Sequence, residues 1–195
     1  MIMVLEAVPP PVAAVRQALG GLCDWPGADK AAETAARRAA ALAVPRAVTR
    51  LVGPQAALGR LLSPELTGTR EVWAAVVTLG PALEEEVRRL FAEGKAGEGL
   101  CLDGAGNAVL AETVREVGRR LNGVWLAPGC HAVPLSLVPE VAAAAGSGEI
   151  GVEVLPSGML RPEKSVAGWV MPGATQHPPA CEGCTSPICP WRGRR

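Results

Sequence analysis

The chain is poor in two aromatic residue types and has no excess of either charge. Its 195 residues include no tyrosine and one phenylalanine, against five tryptophans. Lysine plus arginine number 19, and aspartate plus glutamate also number 19. A balanced charge gives no electrostatic reason to expect nucleic acid as a partner. Because aromatics are scarce, we expect a core built largely from small aliphatic side chains and tryptophan.

The sequence also lacks a long apolar segment. No run approaches the roughly 20 apolar residues that span a bilayer. Residues 1–6 carry no basic stretch followed by an apolar run and a cleavage site, as a signal peptide would. We therefore expect no membrane contact and a cytoplasmic location. Thiols usually stay reduced in that compartment, so clustered cysteines there indicate metal or redox chemistry before they indicate disulfides.

The length predicts one domain with a real core. We assign residues 1–69 to its N-terminal helical and strand portion, 70–172 to its core, and 173–195 to a cysteine-rich tail. Hydrophobic periodicity and turn residues place the individual elements. The predicted strands are 2–8, 45–52, 72–78, 124–126, 150–154 and 165–171, and the predicted helices are 12–19, 28–43, 54–62, a helix after Pro81, 100–121 and 135–145.

Two helices carry more specific expectations. After Pro81, the residues Leu83, Val87, Leu90 and Phe91 are predicted to share one apolar face. In the helix 100–121 a stripe is expected at Leu110, Val114, Val117 and Leu121. Gly104 and Gly106 in its first turns each cost about 1 kcal/mol relative to alanine. We favour close helix-to-sheet packing as their reason over close approach of a ligand.

Three candidate metal ligands are clustered in the tail. Cys181, Cys184 and Cys189 have the spacing C-x2-C-x4-C, which is one ligand short of the four expected for structural zinc or a fully ligated [4Fe–4S] cluster. The fourth ligand could come from Cys130, His131, His177, Cys101 or Cys23. A labile site could also be left open for small molecules, and the alternative to a metal is a reduced tail without one. For Cys101 a core position is favoured, for His177 a solvated one, and for Asp103 and Glu112 a solvated or salt-bridged carboxylate.

Four motifs occur in an order that resembles a known family. They are Val-Thr-Leu-Gly-Pro (77–81), Leu-Asp-Gly-Ala-Gly-Asn-Ala (102–108), Pro-Gly-x4-Pro-Leu (128–135) and Ile-Gly-Val-x9-Pro-x-Lys-Ser-Val-x-Gly (150–168). The chain resembles the activation domain of cobalamin-dependent methionine synthase, and more closely the stand-alone bacterial proteins similar to it that end in a cysteine-rich tail. The resemblance implies an α+β fold, with a twisted, largely antiparallel sheet and packed helices.

The resemblance also implies a function. Such a domain binds S-adenosylmethionine and presents it to cobalamin that has lapsed to cob(II)alamin, so that one-electron reduction is trapped by methylation. The implied partners are methionine synthase or a related corrinoid methyltransferase, which would carry the cobalamin, and an electron-donor protein. The residues at the positions of the family's ligand loop, central helix and late loop are Trp125, Pro128, Gly129, Glu112, Ser157, Lys164 and Ser165.

The sequence departs from the family within the ligand loop. The family has an Arg three residues ahead of the Pro-Gly pair and a Tyr directly after it, where this chain has Trp125 and Cys130. Trp125 could stack on an adenine but cannot replace a bidentate cation. The substituted Cys130 and the adjacent His131 are the preferred completion of the tail's metal site.

Two functions remain open from the sequence. One is an accessory protein for corrinoid reactivation. The other is a metal or iron–sulfur module on the same scaffold that has lost S-adenosylmethionine binding and serves electron transfer or protein interaction. The sequence shows no recognisable general acid/base pair or activated nucleophile. We therefore expect an accessory subunit rather than an independent enzyme.

Overall fold

The computed structural model describes residues 1–20, 26–53, 71–129 and 133–173. In these ranges the chain forms strands and helices in mixed order. They are β1 (Ile2–Val4), α1 (Val12–Leu19), α2 (Ala28–Leu42), β2 (Arg46–Val52), β3 (Val72–Thr78), α3 (Ala82–Ala92), α4 (Ala96–Arg120), β4 (Gly123–Leu126), α5 (Val138–Ala145), β5 (Glu153–Val154), β6 (Leu160–Arg161) and β7 (Ser165–Pro172). Short 3-10 helices at Leu135–Leu137 and Ser147–Ile150 flank α5.

Five strands form the main sheet in the order β1-β2-β3-β7-β4, and every neighbouring pair is antiparallel. Across its middle, Thr49 lies opposite Ala75, which lies opposite Gly168. Strands β5 and β6 form a separate hairpin. The predicted α+β class, with a largely antiparallel sheet and packed helices, is confirmed.

The two faces of the sheet are covered by different elements. The C-terminal half of α4 packs on one face, where Val114 and Val117 join the cluster that contains Trp125 and Val170. On the other face α5 packs through Val141 and its neighbours, together with residues from the hairpin. A third cluster lies beside the sheet and joins α1, α2, α3 and the N-terminal half of α4. Helix α4 therefore links the helical cluster to the sheet.

Most predicted elements are confirmed within a few residues. The long central helix begins at Ala96, four residues before the predicted start, because Lys95 N donates to the Leu90 carbonyl (2.9 Å) and closes a tight turn after α3. The predicted helix 135–145 opens with a 3-10 turn before α5. The predicted helix 54–62 lies outside the described residues.

Three local predictions were wrong. The first strand covers only 2–4, because Pro45, which precedes β2, accepts from Leu5 N at 3.1 Å but has no N–H to continue the ladder. The predicted strand 150–154 is reduced to its last two residues, since Gly151 has φ +75° and ends a 3-10 turn. Phe91 is 45% exposed instead of lying in the core. Its ring covers Gly99 in the next helix.

The packing expected for the α4 glycines also needs correction. A Cβ on Gly104 would lie 2.6 Å from Leu19 Cγ, and one on Gly106 would lie 2.7 Å from Leu83 Cδ2. Both contacts are with neighbouring helices, not with the sheet. Glycine at these two positions therefore allows close helix-to-helix packing. Within the described part of the chain, no helix is long and apolar enough to cross a membrane.

Candidate functional site

Several predicted site residues lie toward one end of the sheet. Strand β3 finishes at Thr78, opposite Ser165 at the start of β7. Strand β4 runs antiparallel to β7 and brings Leu126 opposite Trp169. The chain after β4 therefore leaves toward the end at which β7 begins. This end, here called the Thr78 end, receives both the turn after β4 and the loop before β7.

The turn after β4 requires glycine. Gly129 has φ +86°, and its N–H donates to the Val133 carbonyl at 2.8 Å. A Cβ added to Gly129 would lie 2.8 Å from Leu135 Cδ2. The hydrogen bond closes a short loop whose residues 130–132 lie outside the described part. Because a left-handed φ and a close neighbour coincide here, Pro128-Gly129 has a fixed conformation that other residues would strain.

Trp125 precedes this turn and is 6% exposed. Its ring lies over Gly168, where an added Cβ would be 2.4 Å from Trp125 Nε1. The indole N–H is buried and has no hydrogen-bond partner among the described residues. A buried donor without a partner is uncommon in native proteins. Stacking on an adenine would require this ring to be uncovered, whereas its N–H is an unused donor close to Gly168 of β7.

Lys164 is buried by an ionic cluster rather than exposed in a turn. Its ammonium lies 2.6 Å from Asp103 Oδ1 and donates to Asn107 Oδ1 at 2.7 Å. The residue is 6% exposed, and its Cε lies against Gly106. The expectation of a salt-bridged Asp103 is confirmed. Lys164 therefore ties the loop before β7 to the middle of α4.

Further bonds fix the same loop from β3 and α3. Ser165 Oγ donates to Thr78 Oγ1 at 2.8 Å, and Thr78 Oγ1 also accepts from Gly80 N at 3.1 Å. Glu84, which is 7% exposed, accepts from Glu163 N at 2.5 Å. The loop is thus anchored to three elements, which gives the Thr78 end a fixed frame.

Sequence reasoning missed two of these anchors, Asn107 and Glu84. Asp103 and Asn107 are four residues apart and therefore share a helix face, on either side of the glycine that admits the lysine stem. That pairing was a usable signal for a buried cation. Glu84 gave no such signal, because it sits in a run of three glutamates that looks like an ordinary helix start.

The remaining predicted ligand residues lie apart from this cluster along the chain. Glu112 is on α4, where its carboxylate accepts from Arg115 Nη1 at 2.9 Å. Ser157 is exposed in the turn between β5 and β6, and that turn is closed by the hydrogen bond from Leu155 N to the Met159 carbonyl at 2.8 Å. The salt-bridged interpretation of Glu112 is confirmed.

The predicted metal ligands cannot be located in the structure. Cys130, His131 and the three tail cysteines Cys181, Cys184 and Cys189 all lie outside the described residues. Within residues 1–20, 26–53, 71–129 and 133–173, no group of three or more His, Cys, Asp or Glu side chains could hold a metal ion. Cys101 is 4% exposed in the helical cluster, which confirms its predicted core position.

Comparison with known proteins supports the fold. No family model matches the chain, and no curated protein matches it. Among solved structures, the chain is similar to the MetH reactivation domain bound to AdoHcy, with a TM-score of 0.61 and 16% sequence identity. The alignment covers 91% of this chain and 80% of that chain. This similarity shows that the chain has the methionine synthase activation domain-like fold that the sequence motifs implied.

Proposed function

We propose that this chain is an accessory protein for reductive reactivation of cobalamin-dependent methionine synthase or a related corrinoid methyltransferase. The observation that carries the proposal is the fold similarity to a reactivation domain bound to AdoHcy, over 91% of this chain. S-adenosylmethionine would be the methyl donor, and an electron-donor protein would supply the electron. The unfavourable reduction of cob(II)alamin becomes useful because methylation consumes its product.

In this proposal the Thr78 end holds the nucleoside-type ligand next to a partner's corrinoid. Gly129 fixes the turn that approaches the ligand, and the Trp125 indole offers a buried N–H. The Lys164 ammonium is engaged with Asp103 and Asn107, so Lys164 acts as a positioning residue. Ser157 lies in the β5–β6 turn, so a contact from its exposed side chain would require the ligand to extend to that hairpin.

The amino-acid end of S-adenosylmethionine would find no cation at position 125. Trp125 provides a neutral donor where the resembling family has a guanidinium, so it supplies no charge for a carboxylate. A hydrogen bond to a charged group contributes about 1.5–3 kcal/mol. We therefore expect S-adenosylmethionine to bind more weakly here than in a protein that keeps the arginine.

Ligand binding can be tested by calorimetric titration of the full chain with S-adenosylmethionine and S-adenosylhomocysteine. In Gly129→Ala the new Cβ meets Leu135 and the left-handed φ becomes strained, so we expect at least a tenfold loss of affinity. Gly94→Ala is the matched control, because Gly94 also has positive φ but has open space around it. Equal affinity in both variants would reject the turn as the ligand site.

The function itself is tested with a methionine synthase that lacks its own reactivation domain. That enzyme, held as cob(II)alamin, is mixed with this chain, a one-electron reductant and S-adenosylmethionine, and methylcobalamin is followed by absorbance. We expect recovery that depends on this chain and is reduced by Gly129→Ala. The proposal would be refuted if this chain formed no complex and gave no recovery with this enzyme or with another corrinoid methyltransferase.

The tail spacing C-x2-C-x4-C favours a second candidate, a metal or iron–sulfur module for electron transfer or protein interaction. The proposed ligands are Cys181, Cys184 and Cys189, completed by Cys130 and His131. Gly173 N donates to the Asn122 carbonyl at 2.9 Å, so the tail starts beside β4. The six residue steps from Gly123 to Gly129 span at most about 20 Å when fully extended, and the eight steps from Gly173 to Cys181 reach about 26 Å. The tail is therefore long enough to meet the loop.

Anaerobic purification with iron, zinc and sulfide analysis tests this candidate. We expect bound metal to fall in Cys181→Ser and in Cys130→Ser. The control is Cys101→Ser, because Cys101 is buried in the helical cluster. A metal-free protein that binds S-adenosylmethionine would reject the module and favour the first proposal.

A further inference from the structure

A cavity of about 510 Å³ lies between α2 and the start of α4, away from the glycine turn. Ligand sites for small molecules usually measure roughly 300–1,000 Å³, so this cavity has the size of a binding site. Helix α2 lines it with Lys30, Ala31, Thr34 and Ala35, and α4 lines it with Cys101 and Leu102. None of these residues belongs to the site described above.

Small residues of α2 and α4 leave room for the cavity. On α2 these are Ala31 and Ala35, and on α4 it is Gly97, where an added Cβ would have nothing within 4 Å. Buried Ala35, Cys101 and Leu102 form an apolar floor, whereas Lys30 and Glu98 are exposed at the open edge. A space of this size with an apolar floor is therefore suited to an apolar body.

The rim carries a positive charge, Lys30, that no described residue neutralises. Among the described residues, the Lys30 ammonium has no ion pair or side-chain hydrogen bond, although its neighbours Asp29 and Glu33 pair with arginines. Arg38 pairs with Glu86 and lies 3.9 Å from Glu98. Arg38 is therefore compensated by Glu86, whereas the lining cation Lys30 has no acidic partner among the described residues.

We propose that this cavity binds a small amphiphilic anion, with its apolar body against Ala35 and Leu102 and its anionic group on Lys30. A ligand of this kind satisfies both observations, because it fills the apolar space and neutralises the lysine. The proposal concerns a site separate from the Thr78 end and does not depend on the function proposed above.

The test uses two fluorescent probes on the full chain. The first is 8-anilinonaphthalene-1-sulfonate, which joins an aromatic body to a sulfonate. The second is N-phenyl-1-naphthylamine, which has the same body without the charge. We expect the sulfonate to bind more tightly, and Lys30→Gln to weaken its binding about fivefold, on the order of 1 kcal/mol. The uncharged probe should be indifferent to that substitution.

Arg46→Gln is the control, because Arg46 is an exposed cation on β2 that does not line the cavity. It should bind the sulfonate as the unmodified chain does. Amide shifts in ¹H–¹⁵N spectra should cluster at Thr34, Ala35 and Cys101. Shifts elsewhere, or equal affinity in Lys30→Gln and the unmodified chain, would overturn the proposal, as would absence of binding.

Discussion

The N-terminal half of α4 packs against other helices, whereas its C-terminal half packs against the sheet. In the first half, Gly104 and Gly106 bring the backbone close to Leu19 and Leu83. In the second half, Val114 and Val117 fill the space above the sheet with their own side chains. Glycines without side chains thus allow close packing in the first half of α4, and valine side chains fill the space in the second half.

The ion pairs of the two halves also differ, in how far their cationic side chains are exposed to solvent. Asp103 meets a lysine whose side chain is 8% exposed. Glu116 meets Arg119 and Arg120, whose side chains are 73% and 44% exposed. A charge that cannot reach water depends on its partner, while an exposed one can be solvated instead. We infer that the first half is sensitive to single substitutions and the second half is tolerant.

The largest expected effect is at Gly106, where α4 packs closely against α3. Gly106→Val should lower the free energy of unfolding by about 3 kcal/mol, the upper part of the usual range for an overpacked core. The new side chain would meet Leu83, which is fully buried, and the Lys164 stem. Urea denaturation monitored by circular dichroism measures the change.

The control for this prediction is Gly97→Val in the first turn of the same helix, where an added Cβ has nothing within 4 Å. Valine and glycine differ there by only a few tenths of a kcal/mol in helix propensity. If Gly106→Val were as stable as Gly97→Val, close packing would not explain the glycine at position 106.

A smaller effect is expected from breaking the buried ion pair. Asp103→Ala leaves the Lys164 ammonium with Asn107 as its remaining side-chain partner. Hydrogen bonds to charged groups contribute about 1.5–3 kcal/mol, and Asp103 is itself 40% exposed, so we expect a loss of about 2 kcal/mol. Denaturation of Asp103→Ala and Asp103→Asn measures it.

Glu116→Ala is the exposed counterpart and should cost less than about 1 kcal/mol. Equal losses in Asp103→Ala and Glu116→Ala would contradict the difference drawn between the two halves. A loss in Asp103→Asn between those of the alanine variant and the unmodified chain would separate the charge from the hydrogen bond.

The sequence was sufficient for elements whose burial pattern is local. Strand β3 was predicted because Val72–Thr78 is one apolar run, and α2 was predicted because alanine or leucine occupies most positions of 28–43. The strand expected at 150–154 failed although its residues alternate, since Gly151 adopts a left-handed conformation that alternation does not reveal. Local pattern therefore identifies elements better than it identifies their interruptions.

The candidate site was less predictable because its contacts are distant along the chain. Ser165 and Thr78 are 87 residues apart, and Lys164 and Asn107 are 57 apart. The local sequence around one residue of each pair does not indicate which distant residue it contacts. The resemblance located Lys164 and Ser165 but described them as loop residues, whereas only the fold shows that they fasten β7 to α4 and β3. The burial of Trp125 likewise depends on Gly168, which belongs to another strand.

The smallest effect is a pH dependence that arises in the exposed half of α4. Hydrogen bonds from Arg119 and Arg120 lower the pKa of Glu116 from its ordinary value of 4.5 to about 2. Since the folded chain has the lower pKa, the stabilisation is present above pH 4.5 and is lost as the pH falls toward 2.

Thermal unfolding of Glu116→Gln and the unmodified chain should differ by less than about 1 kcal/mol at pH 6, and the difference should shrink toward pH 2. It should also shrink in high salt, because exposed charges are screened. A difference that is unchanged between pH 6 and pH 2 would mean that the carboxylate's charge does not stabilise this half of the helix.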